Sequence, residues 1–332
     1  MTLPTHTETD AGTLRIHSIR ALHPGPRLIV LGAVHGNEIA GTRAIERVLT
    51  EIDSGALTIV RGTVTFVPVT NPLAYRTGQR IGERNLNRNL RLNRNPRDNE
   101  DRIANVLCPL LAQHDVLLDL HSFQAPGEPF AMLGPLDNTD TLEPFAHAEH
   151  EEALALRLGP RRIVEGWLST YAVGVKARLL RTPPTEYHQL LNTDPSYGVG
   201  TTEYMRSQGG YAVTLECGQH ADPNSPEVGW RAIHNALAHL GLTAESPPAA
   251  RNDIELLKLA EVIDRLHADD TFSRQWVSYD PLRVGDLIAT RADGTQVLAR
   301  EDGCIVFPNA AALPGNEWFY FARRSPRVLR DV

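Results

Sequence analysis

The stretch "LIVLGAVHGNEIAGTRAIERVL", residues 28–49, decides the fold. With Arg27 before it, the run to Gly32 is short, branched and ended by glycine, which predicts a buried parallel strand over Arg27–Gly32. From Ile39, apolar residues recur at Ala44, Ile45, Val48 and Leu49, the pattern of one helical face. His35 and Glu38 sit where strand becomes helix. In a first helical turn, residues at this spacing point to the same side. Imidazole nitrogen and carboxylate oxygen are both ordinary zinc ligands. Gly32 and Gly36 bracket the histidine and permit close backbone approach. Taken alone, a His-x-x-Glu pair is more often a solvated face.

Working outward, strands are expected over 62–72, closed by Asn71-Pro72, over 115–122 and over 210–218. Helical spacing marks 99–113 and 226–241. Strands alternating with helices imply an α/β domain over 1–245, with a mainly parallel central sheet flanked by helices. Residues 243–253 read as a linker, 254–267 as a short helix, and 252–332 as a small C-terminal β-rich domain with turns at "ADGTQ" and "EDG".

Composition excludes several classes. The net charge of −7 argues against a nucleic-acid partner and favours solubility. Cys108, Cys217 and Cys304 are far apart and odd in number, so no disulfide framework is expected and a reduced cytoplasmic setting fits. No apolar run is long enough to span a bilayer, and "MTLPTHTETDAG" has neither the basic start nor the apolar core of a secretory signal.

In open α/β sheets, ligands gather at the carboxyl ends of the strands. His121 ends "VLLDLHS" and is a candidate third ligand, with Asp119 placed to orient it. Glu216 is the only carboxylate in "YAVTLECG", among apolar neighbours that would raise its pKa and suit it to take a proton. Each residue alone has an ordinary structural explanation; their meeting at one predicted edge favours a site. His147 and His150, among Glu149, Glu151 and Glu152, read instead as a solvated helix. The segment 75–102, dense in arginine and asparagine, admits an RNA-contacting loop, a polar surface loop, or an anion pocket built on the planar guanidinium fork.

"GAVHGNE", "NLNRN", "DLHS" and "TLECG", in that order, resemble the succinylglutamate desuccinylase/aspartoacylase family, zinc-dependent deacylases related to the metallocarboxypeptidases. "VLAREDGCIVFPN" (297–309) resembles the small β domain of its desuccinylase branch. The resemblance implies a zinc carboxypeptidase-like fold and one zinc per chain, held by His35, Glu38 and His121. It implies hydrolysis of a linear amide in a small-molecule N-acyl amino acid, with zinc-bound water as nucleophile and Glu216 as general base. It further implies Arg80 as the group polarising the scissile carbonyl, and Asn87, Arg88 and Arg206 as ligands of a substrate carboxylate. Two positions depart from the family pattern: Asn85 replaces an aspartate, and Ser122 stands where asparagine or threonine is common. Tyr279 and Tyr320 are both candidates for the tyrosine that aspartoacylases contribute from the C-terminal domain. A rival within the superfamily is a metallocarboxypeptidase-type peptidase; a rival of another class is a non-catalytic metal- or RNA-binding protein. Neither nucleic acid nor membrane is an expected partner, and a homo-oligomer is left open.

Overall fold

The computed structural model describes residues 12–189 and 193–331. The N-terminal segment 1–11, read above for a leader, lies outside the described residues. Strand β1 (His17–Arg20) leads into β2 (Arg27–Leu31), helix α1 (Ala40–Asp53) and β3 (Thr63–Val67). Along β2, Leu28 and Val30 pack with α1, while Ile29 and Leu31 enter a second apolar cluster on the opposite face. That alternation makes β2 a strand covered on both sides, as its apolar run predicts.

The expected second strand ends early. Asn71 caps a short helix, α2 (Pro72–Thr77), by accepting Ala74 N–H at 3.2 Å. Helix α3 (Asn99–Leu111) and strand β4 (Val116–Phe123) follow, then β5 (Phe130–Leu133), α4 (Ala148–Ala155), β6 (Arg162–Glu165) and α5 (Trp167–Arg181). Helix α6 (Thr201–Ser207), β7 (Tyr211–Gln219) and α7 (Ser225–His239) complete the part read as the catalytic domain.

Residues 254–267 do not form the expected helix. Strand β8 (Glu255–Asp264) runs there, parallel to β6 in the register Arg162↔Glu255 through Glu165↔Lys258. Beyond it come β9 (Thr271–Phe272), β10 (Pro281–Leu282), β11 (Leu287–Thr290), β12 (Gln296–Leu298), β13 (Gly303–Val306) and β14 (Glu317–Arg324). Strands β8, β14, β13 and β10 continue the central sheet, giving eleven strands in the order β1-β3-β2-β4-β7-β5-β6-β8-β14-β13-β10. Among the strands of residues 1–245 the sheet is mainly parallel, as expected, and the C-terminal strands make the whole sheet mixed. Its pairs β2–β3, β2–β4, β4–β7, β5–β6 and β6–β8 are parallel, and the other five antiparallel. Strands β12, β11 and β9 form a separate small sheet, and Trp276, Trp318 and Phe319 centre an apolar cluster in this C-terminal part. Among the described residues, no helix is long and apolar enough to cross a membrane.

Candidate active site

The turn after β2 carries the first two candidate ligands. Ala33 adopts a left-handed φ of 46°, and Gly36 presses on α2 so closely that a Cβ there would lie 1.9 Å from the Ala74 carbonyl carbon. Glu38 N–H bonds His35 C=O at 3.1 Å, closing the turn before α1 begins. The pair therefore sits ahead of the helix, not in its first turn, and the tight turn brings the two side chains together.

His121 arrives from β4, two strand residues beyond Asp119. His35, Glu38 and His121 are nearly inaccessible, and one ligand atom of each lies within 4.8 Å of the others. His35 Nδ1 is 2.9 Å from Glu38 Oε1, and His121 Nδ1 is 2.8 Å from Glu38 Oε2. The remaining ring nitrogens face acceptors. His35 Nε2 lies 3.0 Å from Asn85 Oδ1, and His121 Nε2 3.0 Å from Asp119 Oδ2. Protons on both Nε2 atoms satisfy those contacts and leave both Nδ1 lone pairs aimed at the Glu38 carboxylate. His35 Nδ1 makes no hydrogen bond there despite its proximity. Acceptors facing acceptors repel; a proton relieves one such contact, whereas one divalent cation relieves both. The donor set thus fits a metal with N/O preference. Asn85, first seen as a departure from the family pattern, is the partner that orients His35.

The charge states of His35 and Glu38 agree with this assignment, whereas His121 without a metal carries a proton that a metal would displace. Burial, with Arg80 nearby, lowers His35 to about 4, keeping the imidazole neutral as a ligand must be. Burial works against ionised Glu38, but the two imidazoles outweigh it and hold its pKa well below the usual carboxylate range. Burial likewise opposes charge on His121, yet Asp119 and Glu38 raise it well above the ordinary value.

A hydrogen-bonded ring surrounds these ligands. Asn85 Oδ1 also accepts Asn87 N–H at 2.9 Å. Asn87 Oδ1 accepts Thr201 N–H at 2.8 Å, and the Thr201 hydroxyl donates to Asp119 Oδ2. The signal for Thr201 is the sequence "GTTE", in which Glu203 accepts Gly200 N–H at 2.9 Å at the start of α6. With its oxygen so engaged, Asn87 has its Nδ2 donors left for the pocket.

A cavity of about 320 Å³ opens over the cluster and brings together His35, Glu38, His121, Glu216, Arg80, Asn87, Arg88 and Arg206. Glu216, in register with His121 across β4–β7, is nearly buried, and its Oε2 has no hydrogen-bond partner. Burial, reinforced by the Glu38 and Asp119 carboxylates against His121 and Arg80, lifts its pKa to about 8. Arg80 donates to Glu38 Oε1 at 2.6 Å. Arg88 donates to the Asn87 carbonyl at 2.8 Å and lies 4.6 Å over the Trp167 ring.

Arg206 is differently employed. Its Nε and Nη2 bond both oxygens of Glu151 at 2.9 and 3.0 Å, Nη1 bonds Glu143 at 2.8 Å, and Nη2 also bonds the Ala212 carbonyl at 2.8 Å. Glu151 and Glu152 are fully buried; Arg327 takes the latter, at 2.7 Å. Helix α4 therefore buries the carboxylates read as solvated, while His150 and His147, just before the helix, lie beside Tyr211. Among the described residues, the single cluster able to hold a metal is that of His35, Glu38 and His121.

The sequence left further lining residues unread: Trp167, Phe307, Glu317 and His220. Of the two tyrosine candidates, Tyr320 lines the cavity, its hydroxyl buried and without a partner among the described residues. Tyr279 instead stacks under Arg162, 3.7 Å from its ring centre.

Residues 24–126 match the family model of the succinylglutamate desuccinylase/aspartoacylase catalytic domain. Over that segment the chain is similar to the succinylglutamate desuccinylase/aspartoacylase family. It is 28% identical to a succinylglutamate desuccinylase of Pseudomonas aeruginosa, covering 90% of this chain and 84% of that one. In fold it is similar to a succinylglutamate desuccinylase/aspartoacylase of Rhodobacter sphaeroides, with TM-score 0.69, 18% identity and coverage of 94% of this chain and 90% of that chain. It is also similar to the ectoine utilization protein of Ruegeria pomeroyi, with TM-score 0.66, 20% identity and coverage of 93% and 88%. The family match spans the turn with His35 and Glu38, the loop with Asn85 to Arg88, and His121, while Glu216 lies beyond it.

Proposed function

We propose that this chain is a zinc-dependent hydrolase that cleaves the linear amide of an N-acyl amino acid. The observation that carries the reading is the convergence of two imidazole Nδ1 lone pairs and one carboxylate beside Glu216, an unpaired, nearly buried carboxyl group. Zinc held by His35, Glu38 and His121 would supply Lewis acidity and lower the pKa of water at the site towards about 7.

The chain's own residues do the rest. Glu216 takes the proton of the attacking water and returns it to the leaving amine; its elevated basicity suits both transfers. Arg80 stands beside Glu38, placed to donate to the carbonyl oxygen as charge develops on it. Asn87, through Nδ2, and Arg88, over the Trp167 ring, receive the carboxylate of the amino acid. We assign Arg206 to the pocket wall rather than to direct carboxylate contact, because Glu151, Glu143 and the Ala212 carbonyl occupy its donors. Residues of the C-terminal part, among them Phe307 and Tyr320, close the far side of the cavity and favour small substrates.

The test is metal content together with hydrolysis of N-succinylglutamate, N-acetylaspartate and neutral N-acyl controls, with and without a chelator. About one zinc per chain and chelator-sensitive release of amine are expected. Chelator-insensitive release, or zinc with no turnover of any member, would overturn the reading.

A further inference from the structure

The two flanks of the ligand cluster differ. Hydrogen bonds behind the imidazoles lead to Asn85, Asn87 and Thr201, the side assigned above to the amino-acid carboxylate. On the Glu38 side they lead elsewhere. Ser122 N–H donates to Glu38 Oε2 at 3.2 Å, and Ser122 Oγ lies 2.9 Å from His220 Nδ1. Asn37 Nδ2 is 3.5 Å from His220 Nε2, and His220 N–H is tied to the Phe123 carbonyl at 2.9 Å. Asn37, Ser122, Gln124 and His220 all line the cavity.

This flank is polar but neutral. Burial lowers the pKa of His220, so the ring is uncharged near neutral pH. In the tautomer whose Nε2 accepts from the Asn37 amide, the ring proton is on Nδ1 and points at Ser122 Oγ. The Ser122 hydroxyl proton is then free to donate into the cavity. Arg80 Nη1 is bonded to Glu38, and its remaining donors are assigned above to the scissile carbonyl. A carboxylate placed here would meet a hydroxyl and amides but no unspent positive charge, and a buried charge without a counter-charge is costly. A neutral acceptor meets no such penalty and gains the serine donor.

We propose that Ser122 and His220, steadied by Asn37, form the acyl-side wall of the pocket and select neutral acyl groups bearing a hydrogen-bond acceptor over acyl groups ending in carboxylate. The proposal rests on the deacylase reading and sharpens it. Ser122 is the specificity-determining donor; His220 is a positioning residue that acts through it.

The experiment uses zinc-loaded full-length protein and four N-acyl-L-glutamates: acetyl, butyryl, succinyl and succinamoyl, the last the neutral isostere of succinyl. Dissociation constants are measured by calorimetry for ligands that are not turned over, and kcat/KM for those that are. Succinamoyl is expected to lead succinyl and butyryl by about tenfold, the worth of one hydrogen bond of ordinary strength. Ser122→Ala should reduce the succinamoyl advantage over butyryl to within about twofold. His220→Gln, which keeps a donor for Ser122, should retain most of the advantage, and His220→Phe should lose it. A preference for succinyl over succinamoyl, equal treatment of all four, or an advantage unmoved by Ser122→Ala overturns the proposal. Absence of turnover with the ranking intact in binding would instead count against the deacylase reading alone.

Discussion

The backbone N–H of Thr201 lies 2.8 Å from Asn87 Oδ1. The hydroxyl of the same fully buried residue donates to Asp119, which in turn holds His121 Nε2 at 3.0 Å. One residue of α6 thus braces both a candidate substrate-binding amide and a candidate metal ligand. Thr201→Val, nearly isosteric, removes the hydroxyl and leaves Asp119 short of a donor. Zinc affinity is expected to fall by about ten- to a hundredfold, measured by competition with a chromophoric chelator. Thr201→Ser should stay within about threefold of wild type. A valine variant with unchanged affinity would remove Thr201 from the support of His121.

Glu216 tests the division of labour within the cavity. Glu216→Gln keeps the shape of the side chain and is outside the ligand set, so zinc content should stay near one per chain. Turnover should fall by at least about a hundredfold, the usual contribution of a positioned base. Retention of more than about a tenth of the activity would exclude Glu216 as the base.

Arg206 should behave as a structural post. Arg206→Met leaves Glu151 and Glu143 buried without their counter-charge, and breaking a buried pair from one side costs about 3–5 kcal/mol. The loss is read as a lower urea midpoint of the zinc-free protein. Burial already pushes Glu143 up to about 7 despite Arg206, so the variant should recover part of its stability as pH falls and Glu143 takes up a proton. A midpoint unchanged from wild type, with KM alone raised, would return Arg206 to direct substrate contact.

Acid stability should depend on Asp270. Burial alone would raise its pKa, but hydrogen bonds from Arg291 and from the N–H groups of Leu266, Ala292 and His267 bring it down to about 2. A folded pKa below the unfolded value of about 4 means the contribution is complete above pH 4 and is lost as pH falls through 2. At neutral pH it amounts to about 2 kcal/mol. Asp270→Asn should be less stable by that order at pH 7, and the gap should close by pH 2. A gap independent of pH would show that packing, not ionisation, sets the role of Asp270.

The sequence by itself determined the strand-turn-helix unit at residues 27–53, the strands that carry His121 and Glu216, and the identity of the candidate ligands. These are local facts: a continuous apolar run, a helical period and a few side chains at strand ends survive without knowledge of the rest of the chain. The segment "ELLKLAEVID" was equally readable as a helix, because its apolar residues fit a helical face; pairing with β6 on one side and β14 on the other makes it strand β8. Glu151 and Glu152 looked like solvated charges, because their partners Arg206 and Arg327 lie 55 and 175 residues away. Asn85 and Thr201 entered the site only when the arginine-rich loop and α6 met behind the two imidazoles. Which residues are candidate ligands was thus written locally, while their orientation, protons and charges were decided by the tertiary structure. A hydrogen bond or buried ion pair joins groups by distance in space, and sequence separation carries no record of that distance.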